Sequence, residues 1–107
     1  MSEWISIGQL ADIPPRGARK FKEQGVQLAV FRTSTDQVFA LEDKCPHLAG
    51  PLSDGIVHDT GVTCPLHNWV IDLETGHVRG PDQGCVAKYE VKTVDGEIFL
   101  ARQKPSA

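Results

Sequence analysis

The chain contains no apolar run approaching the roughly 18 residues that a membrane-spanning helix needs. It also lacks a basic excess. Eleven Lys and Arg stand against 14 Asp and Glu, for a formal charge of −3, so the electrostatic footprint of a nucleic-acid binder is missing. No Gly-x-Gly-x-x-Gly turn is present, which excludes dinucleotide binding through that motif. The opening residues Met1-Ser2-Glu3-Trp4-Ile5-Ser6 carry neither the basic flank nor the apolar segment of a signal peptide, and the expected location is cytoplasmic. Cysteine is scarce, at three residues. In a reducing compartment these read as metal ligands rather than a disulfide framework. Internal repeats, low-complexity stretches and long 3.6-period apolar stripes are all absent; at most residues 7–12 form one helical turn before Pro14-Pro15.

What is present is a series of short β-type runs in 107 residues, enough for one domain with a modest core. Residues 26–31 and 37–42 flank a polar turn, as in a hairpin. Residues 88–94 alternate in polarity and reach Asp95-Gly96, a favoured tight-turn pair, with 97–101 as the partner strand. Residues 69–73 form a further run, and the charged stretch 16–23 reads as a solvated strand face. The expected fold class is an all-β antiparallel sandwich or barrel. Between residues 45 and 84 the punctuation changes, with four prolines and six glycines. A small subdomain over about 43–84 is therefore expected within a single domain of residues 1–107, with 103–107 as a frayed tail.

That segment carries two mixed motifs, Cys45-Pro46-His47 and Cys64-Pro65-Leu66-His67. Each sets one thiolate and one imidazole in a tight loop, giving two sulfurs and two nitrogens. This donor set suits a [2Fe–2S] core in which one iron takes Cys45 and Cys64 and the other takes His47 and His67. Tetrahedral zinc is the rival occupant, in a non-redox interaction domain. Zinc fingers, however, keep a Cys pair and a His pair together, whereas both pairs here are mixed. Cys85 reads as a small packed core residue. His58 and His77 read as exposed turn or strand-end residues with no redox role. The glycine-rich turn 80–84 would cover the metal site.

The two motifs closely resemble those of the Rieske ferredoxin family, over nearly the whole chain from about residue 4 to 100. The resemblance implies a β-sandwich base with a [2Fe–2S] cluster at the tip of an inserted subdomain. Cys45, His47, Cys64 and His67 match the family's ligands one for one, and Pro81 matches the proline of its third loop. Leu48, Pro65, Trp69 and Pro81 would shield the inner side of the cluster. In high-potential members of the family a disulfide joins the two ligand loops. Gly50 and Leu66 stand at those cysteine positions here. A serine that donates to a bridging sulfide is replaced by Trp69. Fewer hydrogen bonds to sulfur imply a low potential, on the order of −150 to −100 mV.

A narrower resemblance is to the small subunit of assimilatory NAD(P)H nitrite reductase. It rests on Asp12-Ile13-Pro14-Pro15-Arg16-Gly17-Ala18-Arg19, on residues 29–33 and 50–58, and on Cys64-Pro65-Leu66-His67-Asn68-Trp69. Asn68 is the discriminating position, because dioxygenase ferredoxins more often carry glycine there. The resemblance implies one-electron transfer as the electron-transfer subunit of that oxidoreductase, within nitrate and nitrite assimilation. Its partner would be the large subunit bearing FAD and sirohaem. No substrate chemistry is expected on this chain alone. The alternative is a free-standing ferredoxin that takes electrons from a flavin reductase and passes them to a ring-hydroxylating terminal oxygenase. A one-electron reduction takes the cluster from net zero to −1 with neutral imidazoles, which raises the pKa of His47 and His67 and couples reduction to proton uptake.

Overall fold

Val26–Arg32 explains much of the architecture, because its apolar residues run consecutively instead of alternating. A strand of that kind needs cover on both faces. In the computed structural model, which describes residues 3–23, 25–44, 52–64, 69–79 and 84–102, it receives both. Among the described residues ten strands follow in order: β1 (Glu3–Gln9), β2 (Gly17–Glu23), β3 (Val26–Arg32), β4 (Val38–Glu42), β5 (Ile56–His58), β6 (Gly61–Thr63), β7 (Val70–Asp72), β8 (Lys88–Tyr89), β9 (Val91–Val94) and β10 (Glu97–Arg102). They form three antiparallel sheets, ordered β1-β10-β9, β2-β3-β4-β8 and β5-β6-β7. Among the described residues the only helical pieces are two 3-10 turns, Leu10–Asp12 and Leu52–Asp54. No helix among them is long and apolar enough to cross a membrane.

The middle sheet divides the interior. Leu28, Val30 and Ala40 face β1 and β10, where Ile98 and Leu100 complete one apolar cluster with Ile13. Ala29, Phe31 and Leu41 face the opposite way and meet Leu52, Val57, Val62, Cys64, Ile71, Leu73 and Val86 in a second. Alternate residues of β3 thus serve two separate cores, as the period-2 geometry of a strand dictates. The all-β antiparallel architecture agrees with the expectation from sequence.

Two local expectations need correction. The helical turn expected over residues 7–12 shrinks to Leu10–Asp12, because Ile7, Gly8 and Gln9 complete β1. Their partner is β10, far along the chain, and a register shift between Ser6 and Gly8 bends the strand toward the turn. The single run expected over 88–94 breaks at Glu90. Tyr89 pairs with Ala40 in the middle sheet, whereas Val91 pairs with Leu100 in the outer one. Sequence polarity carries straight through this corner, while the ladder changes sheets. At the Asp95-Gly96 turn both residues have positive φ (51° and 81°), as a type I′ hairpin requires.

Candidate metal centre

The β5-β6-β7 sheet organises the flanks of the segments that carry the expected ligands. Ile56 opposes Thr63, and Thr63 opposes Val70, in one row across its three strands. Cys64 follows Thr63 directly. Its backbone N–H donates to the carbonyl of Trp69 at 2.6 Å, which closes the β6–β7 hairpin around residues 65–68. Arg79 donates its N–H to the Val70 carbonyl at 2.8 Å, and Val78 donates to that of Gly84 at 3.0 Å. The second bond spans residues 80–83 as the base of a second hairpin, and the first sets that base beside β7 at the same end of the sheet. Leu52, the first described residue after 45–51, lies just ahead of β5 and therefore at that end as well.

Packing draws the flanks of these segments together. Leu52 and Cys64 are fully buried in one apolar cluster, and the half-buried Trp69 packs against it. Gly55 lies over the strand that leads to Cys64, and a Cβ there would stand 2.4 Å from the Thr63 carbonyl. This close approach is why the position takes glycine. At the base of the first segment, the Asp43 carboxylate accepts from the backbone N–H and the hydroxyl of Ser53, both at 2.8 Å.

Of the four ligands expected from sequence, Cys64 lies within the described residues, at the end of β6. Cys45, His47 and His67 lie outside them, as do Leu48, Pro65 and Pro81. The described surroundings fit an iron–sulfur group. A fully buried cysteine packed in an apolar cluster is a poor site for a bare thiolate but a good one for a metal-bound sulfur. The other expected ligands, Cys45, His47 and His67, fall in the two segments 45–51 and 65–68.

The other candidates separate. His77 is exposed, as expected, and bridges to Cys85 across the second hairpin. Cys85 is itself exposed, contrary to the packed position expected for it. The neighbouring Val86 takes the inward slot at 3% exposure, so strand alternation turns Cys85 outward. His58 is half-buried rather than exposed, and its Nε2 lies 2.7 Å from the Thr63 hydroxyl. Sequence reasoning also passed over Asp43 and Ser53. The available signal was a carboxylate just before Cys45 and a hydroxyl in a Leu-Ser-Asp-Gly turn just after the segment.

A profile of the Rieske [2Fe-2S] domain matches residues 3–90. The anthranilate 1,2-dioxygenase ferredoxin subunit of Burkholderia cepacia is 33% identical over 99 residues, covering 92% of this chain and 91% of its own. The solution structure of the E. coli protein NirD superposes with a TM-score of 0.81 at 30% identity, covering 94% of this chain and 97% of that one. A complex of oxygenase and ferredoxin in carbazole 1,9a-dioxygenase contains a chain matching at TM-score 0.82 and 29% identity, with 94% of each chain covered.

Proposed function

The chain belongs to the Rieske [2Fe-2S] domain family, and from that premise we propose that it carries single electrons as the small subunit of an NAD(P)H-dependent nitrite reductase. Electron transfer through a Rieske-type cluster is the family's chemistry; the nitrite reductase assignment is our reading. The observation that carries it is the hairpin Cys64-Pro65-Leu66-His67-Asn68-Trp69, with Asn68 where dioxygenase ferredoxins favour glycine. Full-length likeness to NirD supports the same reading. The large subunit with FAD and sirohaem would then supply the nicotinamide and nitrite sites.

In this reading Cys45 and Cys64 would hold one iron through thiolates, and His47 and His67 would hold the other through ring nitrogens. When bound, the cluster supplies a one-electron couple. The non-coordinating nitrogens of His47 and His67 would carry the protons coupled to the cluster's charge. Trp69 and Leu52 exclude water from the Cys64 side, which keeps the local dielectric low. The lack of a hydroxyl at Trp69 supports a potential near the low end of the Rieske range.

A second reading has its own support. The dioxygenase ferredoxin of Burkholderia cepacia matches over nearly its full length, which suits a free-standing shuttle between a flavin reductase and an oxygenase. Growth of a deletion strain on nitrite or ammonium as sole nitrogen source separates the two. Loss of growth on nitrite alone, restored by wild type and not by His47→Ala, is the expected result. Normal growth on both sources overturns the nitrite reductase reading in favour of the shuttle.

A further inference from the structure

We infer that Asp43 and Ser53 are positioning residues that close the base of the first ligand loop and hold Cys45 and His47 in place for the cluster. The inference rests on the ligand assignment proposed above and extends it to residues that touch no metal.

The three ligand-bearing or covering segments are closed in different ways. Backbone pairing closes the second, through Cys64 and Trp69, and the third, through Val78 and Gly84. The first runs from β4 to β5, and those strands belong to different sheets. No ladder between β4 and β5 spans its base. The Asp43 carboxylate takes that place, with Oδ1 accepting from the Ser53 backbone N–H and Oδ2 from the Ser53 hydroxyl, each at 2.8 Å and part-buried. Hydrogen bonds to an ionised acceptor are stronger than neutral ones, and a two-point grip also fixes direction.

Both ends of this grip are anchored. The Asp43 N–H donates to the Gln27 carbonyl at 2.9 Å, which ties it to β3. Ser53 rides on the Leu52–Asp54 turn, where Leu52 is fully buried and Gly55 donates its N–H to the Leu52 carbonyl at 2.9 Å. The entry and exit of residues 44–52 are therefore fixed to the middle sheet and to the second core. With its ends fixed, the loop has fewer conformations to lose when Cys45 and His47 bind iron.

Two features of the grip can be separated chemically. Asp43→Asn keeps both contacts, since the amide oxygen accepts from the Ser53 N–H and the amide NH₂ donates to the Ser53 hydroxyl. It removes the charge and the longer contact, 3.5 Å, that Oδ2 accepts from the Gln27 side-chain amide. Asp43→Ala deletes both contacts, and Ser53→Ala deletes one. The full chain, purified with its cluster under anaerobic conditions, would be challenged with an iron chelator while visible absorbance is followed, and the reduced form examined by electron paramagnetic resonance. Ile98→Val, in the core remote from the loops, serves as a control for general destabilisation.

Iron release is expected to be tenfold or more faster in Asp43→Ala, intermediate in Ser53→Ala, and within about threefold of wild type in Asp43→Asn. Asp43→Ala should also broaden the resonance spectrum, with Asp43→Asn retaining the wild-type line shape. The inference is overturned if Asp43→Ala or Ser53→Ala loses iron no faster than Ile98→Val, compared at equal loss of Tm. Should Asp43→Ala fail to fold, the ordering of Ser53→Ala above Asp43→Asn still decides. A wild-type chain that holds no [2Fe–2S] cluster overturns the underlying ligand assignment instead, which is a distinct result.

Discussion

Leu52 and Leu28 are both fully buried, yet they occupy different cores, so truncating each to alanine gives a paired test. Each change removes roughly three carbon equivalents, about 2.4 kcal/mol of transfer free energy at ~0.8 kcal/mol per methylene. The unfilled cavity adds to this, and fully buried Leu→Ala changes typically cost about 3–5 kcal/mol in total. Both variants should therefore lose about 3–4 kcal/mol in urea unfolding of the iron-free chain. Their effects on the metal centre should differ. Leu52 shares its cluster with Cys64, and Trp69 packs against it, whereas Leu28 lies across the middle sheet with Ile98 and Leu100. If Leu52→Ala also loosens the loops by about 1.4 kcal/mol, iron release to a chelator accelerates tenfold relative to Leu28→Ala. Equal release rates for the two variants would refute the reasoning, as would a loss below about 1 kcal/mol for Leu52→Ala.

Further expectations follow from individual contacts. Arg32 is 16% exposed and donates to the carbonyls of Leu10 and Ile13 at 3.2 and 2.7 Å. Arg32→Ala should cost about 3 kcal/mol by urea unfolding, against less than about 1 kcal/mol for Asp36→Ala, whose side of the ion pair is largely exposed; equal costs would assign the effect to the ion pair. Gly55→Ala forces a Cβ onto the Thr63 carbonyl and should cost roughly 1–3 kcal/mol, with altered amide shifts at residues 63 and 64 by NMR. Burial, and then the Glu42 carboxylate, raise the Tyr89 hydroxyl above its ordinary 10.0. The folded state therefore favours the neutral phenol. That contribution is complete below pH 10 and is lost as pH rises through the raised value. Tyr89→Phe should flatten the alkaline decline in urea midpoint between about pH 9 and 11, and an unchanged slope would show that Tyr89 plays no part in it.

The features legible in the sequence were those whose signal is local. β3 and β4 announce themselves as apolar runs, and Asp95-Gly96 as a turn. What could not be read depends on distant partners. Residues 7–9 look helical until β10 arrives to pair with them, and Glu90 carries no mark of the corner where the chain changes sheets. Cys85 illustrates a subtler limit. Its residue type favours burial, but Val86 beside it has the stronger claim on the single inward slot. Asp43 and Ser53 escaped notice because they stand ten residues apart and meet only in the folded chain.

The two-faced character of β3 has a consequence for errors in folding. Most half-buried strands carry a polar face that penalises a one-residue slip, because slipping would drive polar side chains inward. Across residues 28–31 no such penalty operates, since either phase offers the interior apolar groups. The safeguard lies at the ends. A slip would pull Arg32 away from the Leu10 and Ile13 carbonyls and drag Thr33, buried and hydrogen-bonded to the N–H of Gln37 at 3.1 Å, out of its turn. The polar residues that bound this strand thus act as proofreaders for an apolar stretch that cannot check itself.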